Sequence, residues 1–248
     1  ADFSLDLAEV RRVVAEADPV LTYLCSPNNP TGMVETPEVV DEVLGLAPGL
    51  VVVDEAYGQF APWSALTLVD DATPLVVTRT FSKTWSMAAA RLGYLVGPRW
   101  VVARTFSKTC SMAAARLGYL VGPRWVVAEL EKVVLPYHLD AVKQVAGTVA
   151  LDFVADMEDR VSHLVEERGR LEAALRDLPC DVWPSGANFI LFRPRTVAGH
   201  DAWTALLDHS VLVRDCSSWP RLDGCLRVTV GTTDEDDRFL TALREILT

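Results

Sequence analysis

A lysine flanked by hydroxyl side chains is the residue in this sequence best suited to covalent chemistry. Lys83 stands in the run Thr80-Phe81-Ser82-Lys83, and Arg91 follows eight residues later. A lysine amine condenses with an aldehyde, and a guanidinium binds a phosphate through paired hydrogen bonds. The combination therefore predicts a site for a phosphorylated aldehyde cofactor.

The sequence contains this combination twice. A first unit, residues 79–103, is repeated as a second unit, residues 104–128, with the single difference that Cys110 replaces Trp85. Stacked-repeat folds need three or more diverged units, so two nearly identical units indicate a recent tandem duplication instead. Only one of the two copies can fill a single active site.

Composition limits the class of protein. The chain has 248 residues, of which 50% are hydrophobic, so it can bury a sizeable core. A formal net charge of −11 argues against nucleic acid or an anionic membrane as a partner. There is no apolar run long enough to cross a bilayer and no basic-then-apolar leader, so we expect a soluble, cytoplasmic protein.

Metal binding is not expected from the cysteine and histidine pattern. The five cysteines include no C-x-x-C pair, and the four histidines have no metal-ligand spacing. The sequence therefore predicts free, buried thiols and no metal site.

The order of predicted elements indicates an α/β fold in the first half of the chain. Residues 20–25, 50–53 and 75–81 read as strands, and helices are predicted after Asp6 and from Thr36-Pro37 onward. Polar groups follow each strand, which is where an open α/β sheet presents a ligand site.

The second half predicts a long helix and then a smaller α+β domain. Residues 139–178 are read as the helix, which links a large domain (1–138) to a C-terminal domain (179–248). In the C-terminal domain the predicted strands cover residues 182–193, 211–214 and 226–230, and the predicted helices cover residues 201–209 and 234–247.

Four motifs occur in an order that resembles a known family. They are Ser26-Pro27-Asn28-Asn29-Pro30-Thr31-Gly32, Asp54-Glu55-Ala56-Tyr57, Thr80-Phe81-Ser82-Lys83 with Arg91, and Cys225-Leu226-Arg227-Val228-Thr229-Val230-Gly231. Together they resemble fold-type I, pyridoxal-phosphate-dependent aminotransferases, and most of all the histidinol-phosphate branch. The resemblance covers nearly the whole chain and implies a partial large domain with a mostly parallel sheet.

The resemblance also implies roles for the residues that would hold pyridoxal 5'-phosphate. The lysine, Lys83 or its second copy Lys108, would bind the cofactor covalently and then move a proton on the substrate. Asp54 would pair with the protonated pyridine nitrogen. Asn29 and Tyr57 would hydrogen-bond the 3-oxygen of the ring.

Further residues would bind the anionic groups. The family's phosphate ligands correspond to Thr80, Ser82 and Arg91, or in the second unit to Thr105, Ser107 and Arg116. Arg227 resembles the arginine that binds the anionic end of the substrate. Arg214 resembles its partner for a substrate phosphate.

The two ends of the chain favour different copies of the lysine. Lys83 directly continues the strand that follows Asp54, whereas the spacing back from Arg227 favours Lys108. We select Lys83, and we expect the second unit to be excluded from the sheet as a poorly packed excursion.

Three functions fit these observations. The first is a homodimeric histidinol-phosphate aminotransferase that uses a small amine and a 2-oxo acid. The second is a related enzyme, either an aromatic-amino-acid aminotransferase or a phosphothreonine decarboxylase. The third is a non-catalytic remnant, because the resemblance implies that roughly the first third of the family's sequence has no counterpart here.

Overall fold

The computed structural model describes residues 3–70, 73–80, 93–96, 102–105, 118–121 and 151–248, together with residues 132, 145 and 149. The described part contains two β-sheets with helices packed against them. Its helices are α1 (Leu7–Ala17), α2 (Pro37–Leu46), α3 (Val154–Arg176), α4 (Gly199–Asp208) and α5 (Thr233–Leu247). None of these helices is long and apolar enough to cross a membrane.

The first sheet has six strands that are hydrogen-bonded in chain order. They are β1 (Leu21–Cys25), β2 (Leu50–Glu55), β3 (Leu75–Thr80), β4 (Gly93–Val96), β5 (Val102–Thr105) and β6 (Gly118–Val121). The pairs β1–β2 and β2–β3 are parallel, and the remaining pairs are antiparallel. This confirms the predicted α/β sheet in the first half of the chain.

The helices α1 and α2 begin where their capping residues predict. The Asp6 side chain accepts hydrogen bonds from the amides of Ala8 and Glu9, and the Thr36 hydroxyl accepts one from the Val39 amide. Such caps satisfy amides that have no partner within the helix. Both predicted helix starts are confirmed.

A compact core holds β1–β3 against α2. Val40 and Val43 of α2 are buried in one cluster with Val51, Val53 and Leu75 of the sheet. Full burial of each such side chain contributes about 1.5–3 kcal/mol. The continuous apolar run of β2 is typical of a parallel strand covered on both faces, and it fixes the position of Asp54 at its end.

The second unit joins the sheet, so the expected exclusion was wrong for its described residues. Val77 pairs with Val96 between β3 and β4, and Val102 pairs with Val121 between β5 and β6, which is the same register displaced by one repeat length. The physical reason is that a free strand edge offers unpaired backbone groups. The second unit carries the same strand-forming sequence and pairs at that edge.

The second sheet lies in the C-terminal part and has the order β7–β8–β10–β9. Its strands are β7 (Cys180–Val182), β8 (Phe189–Pro194), β9 (Arg214–Asp215) and β10 (Leu226–Thr229). All three pairings are antiparallel. The core between this sheet and its helices includes Leu171, Phe192, Leu206, Phe239 and Leu243.

Two strand predictions in this part were wrong in extent. The single strand predicted over residues 182–193 is a pair, β7 and β8, because Pro184, Ser185 and Gly186 form the connection between them. The strand predicted over residues 211–214 is only Arg214–Asp215. The helix α3 lies inside the predicted helical stretch 139–178, and the division into 1–138, 139–178 and 179–248 stays a prediction.

Candidate active site

A fixed carboxylate lies at the carboxyl end of the parallel strands. Asp54 Oδ1 accepts hydrogen bonds from the Ala56 amide at 3.0 Å and from Thr78 Oγ1 at 3.2 Å. Asp54 Oδ2 accepts a hydrogen bond from Tyr23 Oη at 3.0 Å. Thr78 is the direct neighbour of Asp54 in the β2–β3 register. Neighbouring strands therefore hold both carboxylate oxygens.

The charge of Asp54 affects the titrating groups beside it. Partial burial and the Asp54 carboxylate raise the pKa of the Tyr23 phenol. Burial, again with the Asp54 charge adding to it, raises the pKa of the Cys25 thiol. Both groups are consequently neutral hydrogen-bonding groups at neutral pH and not a nucleophile or a base.

The loop after β1 brings Asn29 toward the second sheet. The Gly32 amide donates to the Asn28 carbonyl at 2.8 Å, and Gly32 has φ of 78°, a left-handed conformation that glycine adopts without strain. The Ser26 amide donates to the Asp54 carbonyl at 3.0 Å, which ties the loop to β2. The loop is therefore anchored on both sides of Asn29.

Asn29 makes a direct contact with the second sheet. Arg227 Nη1 donates to Asn29 Oδ1 at 2.6 Å. Because Asn29 Oδ1 faces the Arg227 guanidinium, the NH₂ group of Asn29 is oriented away from Arg227. This NH₂ group can therefore donate to another oxygen. Two residues that are far apart in the sequence thus meet at one site.

Arg227 is paired with a second arginine. In the register of β9 and β10, Arg227 lies directly opposite Arg214, so both side chains leave the same face of the sheet. The Arg227 guanidinium carbon lies 4.7 Å from the centroid of the Phe189 ring. Arg227 Nε is buried and has no hydrogen-bond partner within the described part of the chain. Like charges directly opposite are unfavourable by themselves, so this face is suited to an anion.

Tyr57 lies in a buried cluster behind the site. Its ring is 3% exposed and meets Phe189 edge-on, with 5.0 Å between ring centroids. The contact joins the turn after β2 to β8 of the second sheet. The predicted bond from Tyr57 to a cofactor oxygen stays a prediction.

Arg168 of α3 strengthens the same junction. Its Nη1 donates to the Phe60 carbonyl at 3.1 Å and to the Ala187 carbonyl at 2.9 Å. Burial lowers the pKa of this guanidinium, yet arginine remains charged at physiological pH. Arg168 therefore connects the turn after Asp54 to the loop before β8.

Several predicted site residues lie outside the described part of the chain. Of Thr80 and Thr105 the structure describes the backbone in β3 and β5 and not the side chain. The others that cannot be placed are Ser82, Lys83, Arg91, Ser107, Lys108 and Arg116. In the described part, no group of three or more His, Cys, Asp and Glu side chains could hold a metal ion.

Sequence reasoning missed Tyr23, Thr78 and Arg168. The sequence carried a signal for the first two. Tyr23 is two residues from Cys25, so both side chains lie on one face of the strand. Thr78 aligns with Asp54 when the predicted strands are set side by side. Arg168 gave no local signal, since its partners are carbonyls of residues 60 and 187.

The fold and these side chains define a class of protein. A sheet whose strands β1–β3 are parallel and carry an anchored aspartate, followed by a smaller sheet with paired arginines, matches the aminotransferase architecture. The sequence profile described as "Aminotransferase class I and II" matches residues 1–104 and 97–243, so the chain belongs to that family. The first match contains the first unit and the second match contains the second unit.

Individual relatives are similar over almost the whole of this chain. A histidinol-phosphate aminotransferase of Rhodococcus jostii is 42% identical over 250 residues, which cover 99% of this chain and 57% of the relative. Histidinol-phosphate aminotransferase 2 of Nitrosococcus oceani is 37% identical over 246 residues, which cover 98% and 61%. The chain thus spans about three fifths of the length of these curated relatives.

A solved structure has the same fold. The crystal structure of histidinol-phosphate aminotransferase from Sinorhizobium meliloti in complex with pyridoxal-5'-phosphate superposes with a TM-score of 0.75 at 24% identity. The superposition covers 100% of this chain and 62% of that structure. This similarity supports the fold and the order of elements around the site.

Proposed function

We propose that this chain is part of an aminotransferase that uses pyridoxal 5'-phosphate to move an amino group between histidinol phosphate and 2-oxoglutarate. The observation that carries the proposal is the pair Arg214 and Arg227, directly opposite on β9 and β10. Neither guanidinium forms an ion pair with an acidic side chain in the described ranges. Two unneutralised arginines on one face favour a phosphorylated substrate.

The residues around Asp54 fit the proposed cofactor. A carboxylate held by three donors suits a protonated ring nitrogen. The amide of Asn29 suits the 3-oxygen of the ring. When bound, the cofactor supplies an electron-withdrawing ring that stabilises negative charge on the substrate carbon. The task of Asp54 is to keep the ring nitrogen protonated and oriented.

Strand positions support Lys83 as the covalent ligand. Lys83 follows β3, which is hydrogen-bonded to the strand of Asp54, whereas Lys108 follows β5, three strand spacings from β2. Three spacings correspond to about 14 Å. In this proposal Thr80, Ser82 and Arg91 of the first unit bind the cofactor phosphate.

The assembly and location follow from the same proposal. We place the enzyme in the cytoplasm as a homodimer, with a small amine and a 2-oxo acid as its substrates. The net charge of −11 gives no support to nucleic acid or an anionic membrane as a partner.

The arginine pair can be tested by comparing histidinol phosphate with histidinol. Titration calorimetry on the protein with pyridoxal phosphate should give 10-fold to 100-fold weaker binding of histidinol phosphate in Arg214→Gln, roughly the effect of one charge-assisted hydrogen bond. Binding of histidinol should change little. Arg193→Gln is the matched control, because Arg193 is an exposed arginine of the same sheet that pairs with Asp181. Equal losses for both ligands would contradict the proposal.

Turnover separates the three functions. We would assay this chain, and a fusion that adds the unmatched part of the Rhodococcus jostii relative, with histidinol phosphate, phenylalanine and O-phosphothreonine. Glutamate formation from 2-oxoglutarate with histidinol phosphate supports the proposal, and preference for phenylalanine favours the aromatic enzyme. Release of carbon dioxide from O-phosphothreonine would indicate the decarboxylase. If the fusion binds the cofactor but acts on none of the three substrates, the result favours the non-catalytic remnant.

A further inference from the structure

The hydrogen bonds to Asp54 are distributed unevenly between its two oxygens. A carboxylate offers about two acceptor positions on each oxygen. Asp54 Oδ1 receives two donors, the Ala56 amide and Thr78 Oγ1, whereas Oδ2 receives one, Tyr23 Oη. Among the described residues, one acceptor position therefore remains, and it belongs to Oδ2.

We infer that Asp54 Oδ2 is the atom that receives the protonated ring nitrogen, and that Tyr23 and Thr78 are positioning residues that fix the carboxylate for this contact. The inference rests on the proposed function and deepens it. No proton moves between these groups. Tyr23 and Thr78 donate to the carboxylate, which in turn accepts the N–H of the ring.

The exposure of Tyr23 indicates that its bond to Asp54 is not merely a way to satisfy a buried hydroxyl. Tyr23 is 60% exposed, so its hydroxyl could bond to water at little cost. On the same strand, Thr22 points to the opposite face, and its buried Oγ1 has no partner among the described residues. The side chain of Tyr23 instead reaches across to the neighbouring strand, on the face where Cys25 and Asp54 lie paired.

Cofactor affinity tests the inference through a matched pair of ligands. One ligand is pyridoxal phosphate, and the other is its analogue with carbon in place of the ring nitrogen, which keeps the aldehyde and the phosphate. Equilibrium dialysis should show about fivefold weaker binding of pyridoxal phosphate by Tyr23→Phe, the factor that ~1 kcal/mol represents. The analogue should bind equally to wild type and variant, because it makes no bond to Oδ2.

Thr22→Val is the control, since it removes a hydroxyl from the same strand on the opposite face. It should leave both affinities unchanged, and Thr78→Val should behave like Tyr23→Phe. Unchanged binding of pyridoxal phosphate by Tyr23→Phe would overturn the inference. An equal loss for the ring-carbon analogue would do so too, since Tyr23 would then act on another part of the ligand.

A measurement on the cofactor-free protein separates this inference from the proposed function. The tyrosinate absorbance of wild type minus that of Tyr23→Phe isolates the titration of Tyr23, whose pKa partial burial and the Asp54 charge raise. Asp54→Asn should move this titration to lower pH, and Asp41→Asn on the surface of α2 should not. If the protein binds neither ligand, the proposed function fails. An unchanged titration in Asp54→Asn would then overturn the Tyr23–Asp54 contact as well.

Discussion

At the scale of single residues, the site depends on groups whose partners come from neighbouring strands. Asp54 is held from both sides by Tyr23 and Thr78, and Arg227 reaches Asn29 across the two sheets. Each contact joins residues that are at least 24 positions apart in the chain. The chemistry of the site is therefore sensitive to single side chains and not only to the four motifs.

The choice between the two lysines is a prediction at this scale. Treatment with pyridoxal phosphate and then borohydride should label Lys83, because it follows β3 in the sequence and β3 is paired with the strand of Asp54. Peptide mass mapping locates the label. Lys83→Ala should lose it and Lys108→Ala should retain it. Labelling of Lys108 alone would reverse the assignment.

A buried carboxyl group predicts a pH dependence of stability. Asp236 is 2% exposed, and burial raises its pKa to about 6, with the Glu167 charge adding to the rise and the Gly231 amide opposing it. The folded-state pKa of Asp236 lies above the unfolded value, so the folded protein favours the neutral carboxyl group. The stabilisation from this neutral group is present below pH ~4 and is lost as the pH rises through about 6.

Asp236→Asn should remove this dependence. Its free energy of unfolding should equal that of wild type below pH ~4 and exceed it by about 3 kcal/mol above pH 7. Urea unfolding across this range measures the difference. Asp234→Asn, an exposed position in the same helical turn, should stay within about 0.5 kcal/mol of wild type at each pH. A constant offset for Asp236→Asn would argue against the raised pKa.

At the scale of elements, the duplicated units extend one sheet. The β3–β4 and β5–β6 pairs have the same register. Their paired residues are identical in sequence except that Ala103 stands where β3 has Thr78. The parallel strands β1–β3 are bonded among themselves without any residue of the second unit. One unit should therefore suffice for the part of the sheet that carries Asp54.

Deleting either unit tests whether one unit is enough for the sheet to fold, and each deletion is the control for the other. Removal of residues 79–103 and removal of residues 104–128 give proteins that differ only in having Cys110 or Trp85. Both should fold, with similar far-UV circular dichroism, and each should label its one remaining lysine of the repeated motif. If only one of the two folds, the units are not equivalent and the second has become structural.

At the scale of the whole molecule, the two sheets meet through loops near the site. The Gly186 amide donates to the Gly32 carbonyl at 2.8 Å, and Arg168 binds carbonyls on both sides of the junction. A Cβ on Gly32 would clash with Ser185, whose hydroxyl donates to the Phe189 carbonyl at 2.6 Å and cannot move away freely.

Two glycine substitutions should therefore have opposite effects. Gly32→Ala should destabilise by about 2 kcal/mol, because φ of 78° is strained for alanine and the Cβ meets Ser185. Gly45→Ala should stabilise by about 0.5–1 kcal/mol, since this helical position has open space around it. Urea unfolding measures both values. A stabilising effect of Gly32→Ala would contradict the close contact between Gly32 and Ser185.

The local elements and the family could be predicted from residue types and their spacing. Capping by Asp6 and Thr36, the apolar runs of the parallel strands and the four ordered motifs each depend on residues close together in the chain, so they could be recognised without a structure. The pairing of Arg214 with Arg227 was also predicted, because the family resemblance assigned both arginines to the anionic groups of the substrate.

The side chains that surround those residues could be identified only from the folded chain. The bonds of Tyr23 and Thr78 to Asp54 depend on strand register, and the position of the second unit depends on a free strand edge. Arg168 and the split of residues 182–193 into two strands depend on packing between distant segments. Register, edge pairing and long-range packing arise from contacts between parts of the chain, which residue type and local spacing do not encode.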